Sequence, residues 1–358
     1  MAVFHDVMPA FDLLQPNTAA EAQRVLAENG SDAWAMAGGL DSFDWLKDRI
    51  KKPRVLVDLS GIDELRGVRI AADAPHDGIE IGAMTTLTEI ANHPEIRKNY
   101  SVLAEAVSLV ASPQIRNQAT LGGNISQDVR CWYYRGGWPC YRAGGDTCYA
   151  DTPVGRNREH AIFGASRCVA VHPSDSVPAL IALDAKFVVL GSKGQKVIDA
   201  EDYFVGPDID IAKINVLQPG DLLTAIRIPA SFAGARFYFE KVRDRNVWDF
   251  PLMNVASAIK LRGNTIDNIR IAVNAVSPRP LRLKAVETAV RGKPATAETG
   301  EMAGKLAVQG AVPLQFNAYK IPLMRNLVKR AIGGSQPPQE AGNGAPGIPA
   351  AQEAAWAS

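Results

Sequence analysis

Apolar and polar positions along the chain fall into segments of different period. From Thr18 to Glu28, apolar residues recur at helical spacing behind a threonine cap, which predicts an amphipathic helix. Trp34 to Ala37 reads as a short strand running into Gly38 and Gly39, and Val55–Leu59 and Ile79–Ala83 read as further strands. Thr86 to Ala91 opens another helix, and the run from Val102 to Ala111 predicts an apolar one. Between about Asp128 and Arg167 the rhythm breaks. Cys, Gly, Arg, Trp and Tyr replace any regular period, so this looks like an insertion held by something other than a hydrophobic core.

Regular patterns resume at Cys168–Val171 and Ala179–Leu183. Phe187–Gly191 is a predicted strand, and Ser192–Gln195 a turn. A boundary is expected near Ile228. Beyond it, Ala235–Val242, Val255–Leu261 and Ile269–Val276 predict three strands, with a turn at Arg262–Asn264. Helices are expected at Leu283–Val290, Met302–Leu306 and Tyr319–Ala331, giving an α+β domain over 229–332. From Gly333 the Gly, Pro, Ala and Gln content is too poor in apolar area to offset chain entropy, so 333–358 is expected to be a disordered or partner-wrapping tail. No internal repeat is present.

Composition narrows the function classes. With 358 residues, 47% hydrophobic and 22% charged, the chain has the profile of a soluble globular protein of two or three domains. A formal net charge of +1 gives no reason to expect nucleic acid as a partner. There is no run of eighteen apolar residues, so no membrane insertion is expected. The N-terminus lacks a basic stretch followed by an apolar one. The expectation is a cytoplasmic protein, or one exported only with a partner.

Two glycine pairs stand out. Ala37-Gly-Gly-Leu-Asp41 follows a strand, and Thr120-Leu-Gly-Gly-Asn124 follows the polar stretch Ser112–Gln118. Such pairs allow positive φ and clear side chains from a ligand's path, so successive N–H groups can converge on a pyrophosphate. Each is also compatible with an ordinary tight turn. Neither matches Gly-x-Gly-x-x-Gly, so a Rossmann site is not indicated.

The four cysteines, Cys131, Cys140, Cys148 and Cys168, all lie within 38 residues, spaced x8, x7 and x19. In a chain without an export signal such clustering favours metal or redox chemistry over disulfides. Four thiolates match a 4Fe–4S cubane, a structural zinc site is the alternative, and spacing alone does not choose between them. Arg130, Arg135, Arg142 and Arg167 offer charge to offset a cluster. Trp132, Tyr133, Tyr134 and Trp138 would shield it or face a partner. His160 and His172 lie near the cysteines and are read as packing residues before ligands.

Taken in order, Ala37–Asp41, Arg116–Asn124 and His172-Pro-Ser-Asp-Ser-Val-Pro-Ala-Leu180 resemble the FAD-binding medium subunit of the molybdenum hydroxylases, over roughly residues 1–330. The resemblance implies a vanillyl-alcohol-oxidase (PCMH-type) fold, with two α+β subdomains in 1–228 and a C-terminal three-stranded sheet with helices. It implies bound FAD, which is expected to be non-covalent because no His or Cys that could plainly form a flavin bond stands beside the glycine turns. Met36, Ala37, Gly38, Gly39, Leu40, Asp41 and Ser42, together with Thr120, Gly122, Gly123 and Asn124, would hold the pyrophosphate. Asp175 would reach the adenosine part, and Lys241 would lie near the flavin ring. Leu40 stands where the family usually has Thr or Ser, which removes one hydroxyl contact. The string around Cys131, Cys140 and Cys148 is similar to that of the flavin subunit of bacterial three-subunit aldehyde oxidoreductases, one of a minority that carry a 4Fe–4S cluster. Cys168, at the start of the next strand, would complete the ligand set. The partners implied are a large molybdopterin-binding subunit and a small 2Fe–2S subunit, with aldehydes as substrates of the assembly. No catalytic acid or base is expected in this chain. The rival readings are a stand-alone flavin oxidase with a structural zinc loop and a non-catalytic binding scaffold.

Overall fold

The computed structural model describes residues 7–70 and 78–334; of the tail expected over 333–358, Gly333 instead ends the helix Lys320–Gly333 with Gly334 as its cap, and 335–358 lie outside the described residues. Three sheets organise the chain. β1 (Asp12–Leu14), β2 (Ala33–Met36) and β3 (Val55–Asp58) form a small parallel sheet in the order β1-β3-β2. The helix Ala19–Asn29 links the first two strands and buries Ala22 and Leu26 with Val55 and Val57. Its cap is as expected: the Thr18 hydroxyl accepts from Glu21 N.

The second sheet is antiparallel, in the order β4-β5-β8-β6-β7. Its strands are β4 (Val68–Ile70), β5 (Ile79–Gly82), β6 (Lys186–Gly191), β7 (Gly194–Asp199) and β8 (Leu222–Ile228). The sequence pattern does not single out β8. Flanked by β5 and β6, it buries residues of both faces and so lacks a clean alternation. The helices Leu87–Asn92, Ser101–Ser108 and Ser176–Ala182 join this sheet in the main core. A capping box between Thr86 and Glu89 starts the first of them.

The third sheet contains the three expected strands, β9 (Arg236–Val242), β10 (Met253–Arg262) and β11 (Thr265–Asn274), and a fourth, short β12 (Leu281–Arg282), in the order β12-β11-β10-β9. β10 alternates with period two: Ala256 and Ala258 face the main core, while Met253 and Val255 face the core formed with the last helices. The C-terminal sheet is therefore packed on both faces, and one core runs across the boundary near Ile228. The helix Ala297–Ala307 begins five residues before the expected Met302, because Thr296 caps it and Thr299 and Gly300 are buried at its start.

Two readings of the insertion need correction. A small hydrophobic core, shared with the flanking chain, does help to hold it: Tyr134, Cys140 and Val129 pack with Trp45, Ala170 and Ile214. Cys168–Val171 belongs to no sheet. It is held by single bonds such as Ala161 N to Val169 O at 2.9 Å.

Candidate functional site

A cleft opens between the two glycine segments and the C-terminal domain. It is lined by Ala37, Gly38, Gly39, Leu40, Asp41 and Ser42 on one side, and by Thr120, Gly123, Asn124 and Asp175 on the other. Met36, Gly122 and Lys241 do not line it. The loop Trp248–Phe250, Trp34 and Arg130 complete its walls. Sequence reasoning passed over Trp248 and Phe250, whose only signal was a pair of large apolar residues inside a charged loop.

The glycine pairs are two helix starts rather than two equivalent turns. Only Gly39 uses positive φ, at 78°, as the residue before the helix Leu40–Lys47. Gly38 is small because another chain segment crosses it: a Cβ there would lie 2.3 Å from Gln118 O. Gly122 is equally constrained, its Cβ falling 2.9 Å from Ala83 O. The second pair sits in the first turn of the helix Leu121–Ser126, capped by Thr120.

This changes which groups are free for an anion. Leu121 N and Gly122 N donate to Thr85 O and Ala83 O at 3.0 and 2.8 Å, and Gly123 N donates to Thr120 Oγ1 at 3.2 Å. These N–H groups are not available to a phosphate, contrary to the expectation for 120–124. The N–H groups of Gly38, Gly39 and Leu40 have no backbone acceptor among the described residues. They lie at the positive end of the helix Leu40–Lys47. On the opposite wall, Asn124 Oδ1 accepts from Ser174 Oγ and Ser176 Oγ at 2.5 and 2.7 Å, which turns the Asn124 amide N–H groups outward as donors. Asp41 accepts from Arg130 at 2.7 Å, from Arg135 and from Trp45 Nε1 at 2.9 Å, so its carboxylate is neutralised beside the cradle. Ser42 Oγ accepts from Trp34 Nε1 at 3.0 Å.

Asp175 and Lys241 form one buried ion pair at 2.6 Å. They cannot occupy opposite ends of a dinucleotide, as the resemblance implied. Lys241 points inward from β9 and also donates to Leu109 O at 2.9 Å, while Asn254 donates to Asp175 at 2.9 Å. Burial pushes the Asp175 carboxyl up, against the pull of the Lys241 ammonium.

The four cysteines all line one small internal cavity, together with Arg142, Arg167 and Tyr134. Burial pushes the Cys168 thiol up to about 11 and raises that of Cys131. Among the described residues, no three His, Cys, Asp or Glu side chains converge on a single ion. Arg142 is ion-paired to buried Asp128 at 2.6 Å, and Arg130 and Arg135 are tied to Asp41, so three of the four arginines have carboxylate partners already. Tyr134 is buried, whereas Trp132 and Trp138 are exposed, which splits the aromatic group between a shielding and a surface position. Cys131 also lines a second cleft, which shares Arg130, Pro173, Trp248 and Phe250 with the first.

His160 Nε2 lies 3.3 Å from Cys131 Sγ. His172 is fully buried against the Phe204 ring, and burial holds it down at about 3. Its folded-state value is below the unfolded 6.5, so its contribution to stability is complete above about pH 6.5 and is lost as pH falls toward 3. We expect stability to fall on acidification through this window by about 1.4 kcal/mol per pH unit for this one proton, read as a falling melting temperature. His172→Gln should flatten that slope. An equal slope in the variant would assign the acid lability elsewhere.

Comparisons with known proteins agree with this layout. The family pattern described as the FAD binding domain in molybdopterin dehydrogenase matches residues 9–231, and that of the CO dehydrogenase flavoprotein C-terminal domain matches 237–334. The chain is 34% identical over 330 residues to the aldehyde oxidoreductase FAD-binding subunit PaoB of Escherichia coli (strain K12), covering 91% of this chain and 98% of that one. It is 29% identical over 334 residues to the carbon monoxide dehydrogenase medium chain of Hydrogenophaga pseudoflava, covering 92% and 98%. A solved structure of carbon monoxide dehydrogenase from Hydrogenophaga pseudoflava superposes with a TM-score of 0.72 at 28% identity, covering 91% of this chain and 96% of that one. Among the described residues, no helix is long and apolar enough to cross a membrane.

Proposed function

The chain belongs to the FAD-binding medium-subunit family of the molybdenum hydroxylases, as an oxidoreductase subunit, and from that premise we propose that it carries both FAD and a 4Fe–4S cluster in a molybdenum-dependent aldehyde oxidoreductase. In this reading it relays electrons from a large molybdopterin-binding subunit and a small 2Fe–2S subunit to an external acceptor. Bound FAD supplies the hydride and electron chemistry. This chain's residues supply the cradle: the free N–H groups of Gly38, Gly39 and Leu40 and the Asn124 amide would take the pyrophosphate, with Asp41 neutralised by Arg130 and Arg135.

The observation that carries the cluster reading is the shared cavity of the four cysteines, one of which also faces the cleft adjoining the FAD site. Four thiols around one cavity supply the four thiolate ligands that a 4Fe–4S cubane takes, one to each iron. The raised Cys131 and Cys168 thiols would give up their protons as the metal binds. Aldehydes are favoured over other substrates by the identity to the aldehyde oxidoreductase subunit.

The test is to co-express the chain with its two partner subunits. The complex should contain FAD that acid precipitation releases, and about four irons attributable to this chain. Cys140→Ser should lose that iron and keep most of the FAD. Aldehyde turnover should follow the complex on size exclusion and be absent from the isolated chain. Stoichiometric zinc without iron, or turnover by the chain alone, would overturn the proposal.

A further inference from the structure

If the four cysteines hold an iron–sulfur cluster, as proposed above, the contact between His160 and Cys131 acquires a redox role that depends on that cluster. We propose that His160 is a positioning residue which donates a hydrogen bond from Nε2 to the Cys131 sulfur, raises the cluster's reduction potential, and marks the flavin-facing edge of the cluster.

The geometry supports this in three ways. First, the distance is 3.3 Å, and a metal-bound thiolate has no proton to give, so the contact is a hydrogen bond only with Nε2 as the donor. Second, the backbone that carries the imidazole is held in place from behind. Asn317 Nδ2 donates to His160 O and Ala161 O at 3.0 and 3.1 Å. Lys320 Nζ donates to Glu159 O and Ala275 O at 2.8 and 2.6 Å, and Asn157 O accepts from His160 N at 3.1 Å. Asn157, Asn317 and Lys320 are all buried, and through Asn317 and Lys320 the C-terminal domain fixes the main chain at 159–161 against the insertion. Third, His160 and Cys131 together line the cleft that shares Arg130, Trp248 and Phe250 with the FAD site, and the other three cysteines do not line it.

The bond concerned is that of His160 Nε2 to Cys131 Sγ. Hydrogen bonds to a cluster sulfur stabilise the more negative, reduced state, and this raises the potential. The same bond keeps the Cys131 edge turned toward the second cleft.

The experiment is a redox titration monitored by electron paramagnetic resonance on the complete complex, comparing wild type with His160→Leu and His160→Gln. His160→Leu should keep about four irons in this chain. Its cluster should be harder to reduce, with the reduced-to-oxidised ratio at a fixed poise falling about tenfold, or about 59 mV for one electron. His160→Gln, which can donate from its amide, should recover part of the shift. If the leucine variant does not fold, electron–nuclear double resonance on wild-type protein labelled with nitrogen-15 histidine serves instead, and a weak coupling to one histidine is expected. An unchanged potential or no histidine coupling overturns the inference while leaving the cluster in place. Strong coupling, or iron lost from both variants, makes His160 a ligand and also overturns it. Wild-type protein without iron sinks the cluster reading itself and this inference with it.

Discussion

Gly123→Asp is expected to purify as a folded protein without bound FAD. Gly123 lies on the cleft wall, and a Cβ there stands 3.0 Å from Thr120 Oγ1 and 3.5 Å from Ala37 Cβ, a crowding that small shifts relieve. The rest of an aspartate side chain must project into the space assigned to the pyrophosphate. One like-charge pair at 4 Å costs about 4 kcal/mol at an effective dielectric of about 20, which is about a thousandfold in affinity. Fluorescence titration of apoprotein with FAD measures this directly, with circular dichroism to confirm the fold. Gly123→Ala adds the same Cβ without charge and should retain FAD with a small loss. If the aspartate variant binds FAD normally, the phosphates lie elsewhere in the cleft.

Lys241→Met should destabilise the protein by about 3–5 kcal/mol at neutral pH, because it strands the Asp175 charge in the core. The pair is 2.6 Å apart, with side chains 0% and 4% exposed. The pH dependence comes from the direction of the Asp175 shift, which burial already drives upward. Without Lys241 the folded carboxyl would titrate higher still, so folding would favour its protonated form. The variant should then be weakest near pH 7 and approach wild type as pH falls toward the ordinary carboxyl range. Urea melts at several pH values test this. Adding Asp175→Asn should restore much of the loss, since no charge then remains buried. A single variant with near wild-type stability would mean that water enters and solvates Asp175.

Local signals made much of the fold legible. The Thr18 cap, the helix start at Thr86 and the strand patterns at β9, β10 and β11 are short-range, each set by nearby residues. The order of the glycine pairs and the His172–Leu180 stretch are also properties of the chain alone, and they carried the family resemblance, while the clustering of the cysteines pointed to metal or redox chemistry.

The remainder depended on contacts between residues far apart in sequence. Gly38 and Gly122 are glycines because Gln118 and Ala83 cross them, which no local pattern records. The N–H groups of Leu121 and Gly122 are withdrawn from ligand binding by carbonyls of the Ala83–Thr85 turn, so only the first glycine pair keeps free donors. Asp175 and Lys241, 66 positions apart, meet only because β9 packs against the loop that precedes the helix Ser176–Ala182. The same is true of His160, whose place beside Cys131 is fixed by Asn317 and Lys320 from the far end of the chain. Most of the elements and the kind of chemistry are legible in the chain, because both arise from residue type and short-range spacing. Which polar groups face the cleft is set by the folded arrangement, because hydrogen-bonding capacity is assigned once every long-range partner is in place.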